Sequence, residues 1–203
     1  MTATMPRRRL TPEIRRENIL DVAARIVLEE GVSAVSMERL GREAGVSKAL
    51  VYAYFDSQTD VLSALLMREH RHFQAKGRKL LAQSEGFAAG VRATTAAWLD
   101  HVAERGGLIE RLTNEPDIAR IMESVDATER PMTSAIFGDG IAREYRIDRT
   151  RATTIADLLM GLTGAAGAQI HRTGADRTAT LELTLTMIFA VLTDIASDDK
   201  TIA

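Results

Sequence analysis

Apolar residues recur at helical spacing along almost the whole chain, and no segment alternates apolar and polar positions as a β-strand does. The first apolar stripe runs from Pro12 to Glu30, follows the capping residue Thr11 and stops at Gly31. A longer stripe, opened by Asp56 or Ser57, predicts one helix that continues to about Gln83. The pattern therefore predicts an all-α protein.

Two short helices lie between these stripes and share one tight turn. The first begins at Ser36, whose hydroxyl can cap free backbone N–H groups, and buries Leu40. Gly45 supplies the left-handed backbone of the turn, and Ser47 caps the second helix. This order predicts a helix-turn-helix at about residues 36–56.

The second short helix has a core side and an outward side. At about 100° per residue, Val51 and Phe55 fall on the core side, and the outward side combines small residues with Lys48 and Tyr52. Short side chains let a helix approach base edges in the DNA major groove. The segment therefore favours DNA binding, and the alternative is a surface αα-hairpin of a helical bundle, in which alanine is merely a good helix former.

The run Ala44-Gly45-Val46-Ser47-Lys48, followed by Val51-Tyr52 and Tyr54-Phe55, resembles the DNA-binding domain of TetR-type transcriptional regulators. The helical lead-in Ile19–Ala24 fits the same pattern, and the resemblance covers roughly residues 12–72. It implies an N-terminal three-helix DNA-binding domain at 12–72 and a helical effector-binding and dimerisation domain at 73–203. A double-stranded DNA operator is the partner that this family membership implies.

The resemblance also implies a set of DNA-binding positions in the helix-turn-helix and at the start of the fourth helix. Two of them depart from the family pattern, because Leu50 stands where threonine is common and Gln58 where a phosphate-binding lysine is usual. We expect Gln58 to hydrogen-bond the same phosphate and the salt dependence of binding to be shallower. The positions are Ser36, Met37, Ser47, Lys48, Ala49, Leu50, Tyr52, Ala53, Tyr54 and Gln58.

Charge is informative by its placement and not by its sum. The 203 residues carry a formal net charge of -2, which does not mark a nucleic-acid binder. The first sixteen residues nevertheless hold five arginines against the single acid Glu13. They form either a basic arm that follows DNA phosphates or a solvated terminus. These arginines are Arg7, Arg8, Arg9, Arg15 and Arg16.

Several functional classes lack a signature in this sequence. The chain has no cysteine, which excludes disulfides and thiolate metal sites, and its four histidines are scattered, so we expect no metal and no cofactor. No phosphate loop, nucleophile elbow or dinucleotide fingerprint is present, so we expect no enzyme. The apolar stretches Ile155–Ile170 and Leu181–Ala196 are shorter than the roughly 20 residues of a membrane span, and no signal peptide is evident. A cytoplasmic location without membrane contact is expected.

Glycine and proline predict interruptions in the second domain. Gly106 and Gly107 are expected to end a helix that begins near Phe87. Pro131 is expected to kink or break the next helix, and Gly138–Gly140 to form a turn. Beyond them, the pattern predicts a helix capped by Asp148 that ends at His171 or Arg172, and a last helix capped by Asp176.

The last two helices combine a small-residue face with a strong apolar stripe. Each glycine inside a helix costs about 1 kcal/mol relative to alanine, so packing must favour small residues there. The family resemblance implies that this pair forms a four-helix bundle with a second copy, although an intramolecular core is the other interpretation. The predicted dimer interface comprises Gly161, Gly164, Ala168, Leu181, Leu185, Ile188, Phe189 and Leu192.

The resemblance further implies a small-molecule effector in the second domain. Residues around the single tryptophan, Trp98, can line an apolar pocket there, or can be plain core. Mostly apolar walls suggest a hydrophobic effector. The predicted lining residues are Trp98, Leu99, Val102, Leu108, Leu112, Met122, Ile136, Phe137, Met160 and Thr163.

Together, these features predict a homodimeric, ligand-responsive transcriptional repressor that binds a palindromic operator and is released by a small hydrophobic effector. The alternative is a helical adaptor or structural protein that uses its C-terminal helices to bind a partner and does not read DNA. Its test is whether the chain selects a DNA sequence.

Overall fold

The computed structural model describes residues 11–202, with side chains described for residues 11–197. Arginines 7, 8 and 9 of the predicted basic arm lie outside this range. The described residues form eight α-helices and one short 3-10 turn, Val32–Ala34, and contain no β-strand, which confirms the predicted all-α fold. The helices are α1 Pro12–Glu30, α2 Met37–Ala44, α3 Lys48–Tyr52, α4 Gln58–Gln83, α5 Phe87–Thr113, α6 Pro116–Tyr145, α7 Arg149–Thr173 and α8 Arg177–Ile202.

Side-chain caps begin the helices where the sequence predicts them. The hydroxyl of Thr11 accepts a hydrogen bond from the backbone N–H of Ile14 at 3.4 Å, which opens α1. Ser57 caps α4 in the same way, and a carboxylate oxygen of Asp148 caps α7. Each cap satisfies an N–H group that has no partner inside its helix.

The predicted break in α5 is wrong, because the helix continues through Gly106 and Gly107. These glycines make room for His171 of α7, since a Cβ on Gly106 would lie 2.9 Å from Nδ1 of the imidazole. The imidazole Nε2 then lies 3.0 Å from a carboxylate oxygen of Glu110, one turn further along α5. Gly106 therefore serves a helix–helix contact and not a turn.

The predicted breaks in α6 are also wrong. A Cβ on Gly138 would lie 2.7 Å from Cα of Thr153 in α7, and one on Gly140 would lie 2.6 Å from the ring of Phe87 in α5. Both glycines allow other helices to approach closely. Pro131 is exposed, so water can bond the carbonyl that its missing N–H leaves open, and the helix continues.

Two hydrophobic cores organise the molecule. The first lies within α1, α2, α3 and the start of α4, and it is completed by Leu108 and Leu112 of α5 and Ile118 of α6. The second joins α5, α6, α7 and α8. We call α1–α3 the head and α5–α8 the bundle. The end of α5 is thus shared, because it belongs to the bundle in sequence and packs into the core of the head.

Helix α8 is longer than the apolar stretch predicted there. By length and composition alone, its segment Arg177–Ser197 is able to cross a membrane, with 21 residues and a mean hydropathy of 1.6. Core helices of soluble proteins meet the same criterion. Only 22% of this apolar window is buried within the chain, so α8 leaves much apolar surface uncovered.

Candidate nucleic-acid interface

The helix-turn-helix is built from local hydrogen bonds. The hydroxyl of Ser36 accepts from the N–H of Arg39 and that of Ser47 from the N–H of Leu50, both at 3.2 Å. Between the two helices, Gly45 has φ 68° and ψ 31°, the left-handed conformation that glycine adopts without strain. These contacts set the position of α3, which is only five residues long and too short to be stable alone.

Gly41 allows α2 to pack closely against the beginning of α3. A Cβ at this position would lie 3.0 Å from the carbonyl oxygen of Val46 and 3.2 Å from the backbone nitrogen of Lys48. Both neighbours are backbone atoms, which cannot move without shifting α3. Sequence reasoning missed this role, and a glycine inside a helix of eight residues was the available signal.

Ion pairs fasten α2 to α1. Arg39 donates to Glu43 at 2.6 Å and to Glu30 at 2.8 Å, and Arg25 donates to Glu43 at 2.7 Å. The hydrogen bonds from Arg39 lower the pKa of both glutamates below their ordinary range. Glu30 is exposed, so water screens its share of this network and the net stabilisation is small.

The outward face of α3 is accessible and its polar groups are unengaged. Val51 and Phe55 are buried in the first core, whereas the side chain of Tyr52 is 49% exposed. Among the described residues, neither Lys48 nor Tyr52 has a hydrogen-bond or ion-pair partner. The other predicted contact residues on this exposed face are Ser47, Ala49 and Ala53, and Ser36 is exposed at the start of α2.

Four predicted DNA-binding residues have different surroundings. Met37 is buried in the first core, so its side chain cannot reach a ligand and this part of the prediction is corrected. Leu50 and Tyr54 are half-buried. The side-chain amide of Gln58 donates to the carbonyl of Val32 at 3.1 Å, which ties α4 to the 3-10 turn. Phosphate binding by Gln58 stays a prediction.

Comparisons with known proteins agree on one family. Residues 19–65, from α1 to the first part of α4, match the family model of bacterial regulatory proteins of the tetR family. The chain is 28% identical over 151 residues to the transcriptional activator FasR of Mycolicibacterium smegmatis, covering 73% of this chain and 68% of FasR. It is 29% identical over 147 residues to the transcriptional repressor Rv1474c of Mycobacterium tuberculosis, covering 71% of this chain and 74% of the repressor.

The chain carries the DNA-binding domain of the tetR family of bacterial regulatory proteins in residues 19–65. It is a DNA-binding regulator of transcription, in keeping with the sequence prediction. Its fold resembles the crystal structure of SCO4454, a TetR-family regulator from Streptomyces coelicolor, with a TM-score of 0.69 at 21% identity. That match covers 91% of this chain and 97% of the other, so the fold likeness extends through the bundle.

The predicted effector-pocket residues do not line one common cavity. Leu108 and Leu112 are fully buried in the first core, and Met122 packs against it. Ile136 is 58% exposed on α6, and Phe137 packs against the second core. As a ten-residue set, the prediction is therefore wrong. The i, i+4 spacing is common to core and pocket positions and does not separate them.

A smaller group of these residues does meet around Trp98. The indole Nε1 of Trp98 donates to the backbone carbonyl of Thr163 in α7 at 3.1 Å. A Cβ on Gly167 would lie 2.7 Å from the same nitrogen, so this glycine makes room for the indole. Phe73 of α4 packs edge-on against Trp98 and stacks on His101, whose pKa is lowered by burial. Leu99, Val102 and Met160 are the remaining predicted lining residues.

Two surface cavities lie elsewhere. One of about 240 Å³ separates the head from the start of α6 and is lined by Val32, Gln58 and Glu115, among others. The other, of about 460 Å³, lies at the turn between α7 and α8 beside His171 and Arg177. Neither includes a residue of the predicted pocket. In the described part of the chain, no three His, Asp or Glu side chains cluster as a metal site.

The predicted dimer-interface residues of α8 all lie on the side of the helix that packs against the second core. Leu185, Ile188 and Leu192 are at most 3% exposed and belong to the second core, so their assignment to an interface is corrected. Leu181 and Phe189 are half-buried against the same core. On α7, Gly161 is exposed, and Gly164 and Ala168 are half-buried. The exposed apolar face of the pair, which we call the α7–α8 face, instead contains Leu158, Leu183, Met187 and Val191.

Proposed function

We propose that this regulator binds a palindromic operator as a homodimer, through two copies of the outward face of α3. The accessible face of α3 carries this proposal, because Lys48 and Tyr52 are unengaged there beside the small residues Ala49 and Ala53. Lysine can bind a phosphate as a point charge, while alanine methyl groups can contact thymine methyls. Ser36 and Ser47 accept capping bonds and keep their hydroxyl hydrogens free to donate to phosphate.

The α7–α8 face supports the homodimer. Leu183, Met187 and Val191 follow each other at four-residue spacing along one side of α8, and each is at least 42% exposed. Leu158 adds a 69% exposed apolar side chain on α7. Contiguous exposed apolar surface of this kind marks interaction sites in soluble proteins. A second copy that presents the same face would bury it around a two-fold axis.

We propose that operator binding represses transcription and that a small hydrophobic effector relieves repression. Of the two relatives, FasR is an activator and Rv1474c a repressor, so a measurement must decide the sign of regulation for this chain. A reporter gene placed behind the operator decides it. Repression predicts higher reporter output when the regulator gene is deleted, and lower output overturns this part of the proposal.

The effector site that we propose lies between α4, α5 and α7, around Trp98. Phe73, Trp98 and Val102 supply apolar and aromatic surface there, and the indole of Trp98 is held in place by its hydrogen bond to the Thr163 carbonyl. Trp98 is the only tryptophan in the chain, so its fluorescence reports this place without interference. Candidate hydrophobic metabolites should shift that emission and weaken operator binding together, and a ligand that does only one is not the effector.

Selection of binding sites from a pool of random double-stranded DNA tests the central proposal. We expect enrichment of an inverted repeat whose half-sites are separated by about one helical turn or a multiple of it. Sedimentation of the selected duplex with the protein should give two or more protomers per operator, in an even number. Enrichment of no sequence would instead favour the adaptor interpretation, in which the α7–α8 face binds a different protein.

A further inference from the structure

Two oppositely charged residues are buried side by side in the middle of α4. Arg68 and Glu69 are 5% and 2% exposed, and Nη2 of the guanidinium lies 3.3 Å from a carboxylate oxygen of Glu69. Buried charges are rare in proteins unless they are paired, because removal from water is costly. The remaining contacts of these two side chains lead in opposite directions, one into the head and the other into the bundle.

Arg68 reaches into the head. Its Nη1 donates to Asp21 at 2.7 Å and to the carboxylate of Glu17 at 3.3 Å, and both acids lie one turn apart on α1. Burial alone would lower the pKa of Arg68, but the hydrogen bonds and negative charges of Asp21, Glu69 and Glu17 together outweigh it and raise that pKa. The guanidinium is therefore charged at every pH at which the protein folds.

Glu69 reaches into the bundle. Its second carboxylate oxygen lies 3.2 Å from Nε of Arg105 on α5. The charged groups therefore form a series that crosses three helices, from Asp21 of α1 through Arg68 and Glu69 of α4 to Arg105 of α5. Negative and positive charges alternate along this series. Six residues after Arg105, Arg111 donates to the carbonyl of Val27 at 2.8 Å, so α5 also holds the far end of α1.

We propose that Arg68 and Glu69 are positioning residues that set the angle of the head on the bundle, and so the separation of the two α3 helices in the dimer. A planar guanidinium donates to carboxylates only along its fixed N–H directions. Apolar side chains of the same core, by contrast, tolerate small sliding movements. The buried pair therefore defines one orientation of α1 relative to α5.

The outer partners make a clean variant possible. Glu17, Asp21 and Arg105 have side chains that are 49%, 70% and 43% exposed, so water can solvate them when the central pair is removed. Removing one central residue alone would leave the other buried charge with only its partially exposed outer partners, which is destabilising. Replacing both, as in Arg68→Met with Glu69→Leu, leaves no buried charge, and such replacements often preserve folding.

Head-to-bundle distances measured by pulsed electron spin resonance test the proposal without requiring operator or effector. The chain contains no cysteine, so Glu38→Cys on α2 and Thr178→Cys on α8 give two spin labels at exposed positions. An excess of unlabelled chain keeps only distances within one protomer. We expect one narrow distance distribution in the parent protein and a broad or displaced one in the Arg68→Met, Glu69→Leu variant.

Two controls separate positioning from general loosening. Labels at Ala89→Cys and Thr178→Cys lie within the bundle, and their distance should not change in the double variant. The matched variant Arg92→Met with Glu182→Leu removes an ion pair between α5 and α8 that does not touch the head. It should leave both distances as they are in the parent.

A conservative replacement and operator binding complete the test. Arg68→Lys keeps the charge beside Asp21 and should give a narrower distribution than the Arg68→Met, Glu69→Leu variant. On the selected operator, the double variant should bind about tenfold more weakly, within the range seen for residues that couple two sites. This last readout rests on the proposed function, whereas the distances do not. An unchanged head-to-bundle distance, or broadening of the bundle distance by the same amount, would overturn the proposal.

Discussion

The head and the bundle expose surfaces of opposite character. The outward face of α3 shows alanines with one tyrosine and one lysine, whereas α8 shows Leu183, Met187 and Val191. Small and polar side chains suit DNA, which is charged and hydrated and has a deep major groove. Large aliphatic groups gain most from a partner that excludes water. The two ends of one chain are therefore shaped for two different kinds of partner.

The two regions also differ in how complete they are within one chain. The core of the head is closed by residues of α4, α5 and α6 of the same chain, and caps, a left-handed glycine and the Arg39 ion pairs hold its short helices. The bundle buries one side of α8 and leaves the other uncovered. This difference implies that the head folds around local signals, while the bundle leaves the α7–α8 face open to the second copy that we propose.

The largest effect is expected from charges placed on the α7–α8 face. Met187→Asp with Val191→Asp should give monomers, because two-fold symmetry brings four carboxylates into one apolar contact. Loss of the second head should reduce operator affinity at least about 100-fold. Leu185→Ala, only two residues away but buried, should leave the dimer intact and cost about 2–5 kcal/mol of folding stability. Sedimentation equilibrium and operator titration distinguish the Asp variant from Leu185→Ala. An Asp variant that remains dimeric would contradict the assignment of the α7–α8 face to the dimer interface.

A smaller effect is expected inside the head, where Gly41→Ala inserts a methyl group against the backbone of α3. The resulting overpacking should cost about 1–3 kcal/mol in the free energy of unfolding. Gly77→Ala in α4 is the matched control, because nothing lies within 4 Å of its Cβ position. That substitution should be neutral or stabilising by up to about 1 kcal/mol. Urea unfolding followed by circular dichroism measures both, and equal destabilisation would refute the close-approach role of Gly41.

Substitutions on the outward face of α3 should change DNA binding and not folding. Tyr52→Ala should cost about 1–3 kcal/mol of operator affinity if the ring contacts the operator. Lys48→Ala should weaken all sequences similarly and lower the salt slope by about one unit. Fluorescence anisotropy at several salt concentrations measures both. Parent-like affinity in both folded variants would exclude α3 as the reading helix.

The smallest effect concerns acid stability of the head. Arg39 holds the pKa of Glu30 and Glu43 below their ordinary value of 4.5, so the folded state favours their ionised forms. Their contribution to stability is present above pH 4.5 and is lost as the pH falls below that value. Arg39→Met should remove this contribution at neutral pH, so the stability of the variant should depend less on pH between 7 and 3. Urea unfolding measures this effect. The free energies of unfolding of parent and variant should differ at pH 7 and become similar at pH 3, and the same difference at both pH values would argue against the pairing.

Local signals made the head predictable from the sequence. Ser36, Gly45 and Ser47 each act on backbone groups within three or four residues, so their roles follow from spacing alone. The beginning and end of α7 follow in the same way from Asp148 and Gly174. None of these assignments depends on how distant segments pack.

Packing between distant helices made the bundle harder to predict. Gly106 and Gly138 appeared as helix breakers, but their neighbours are His171 and Thr153 of α7, far away in sequence. In α8, periodicity located the stripe that contains Leu185 without showing whether it faces its own core or a second copy. The same local sequence pattern around a glycine or a leucine is compatible with several tertiary contacts. Only the fold shows which of these contacts the residue makes.

Hydrogen exchange of the same protein in three states tests the contrast between the two regions most directly. The states are the dimer alone, the dimer with its selected operator, and the Met187→Asp, Val191→Asp variant. The account predicts that operator adds protection in α2 and α3 and leaves α8 unchanged, while the variant loses protection in α7 and α8 and keeps that of the head. Protection of α8 by operator, or none in α3, would contradict the assignment of DNA to the head and of the second copy to the bundle.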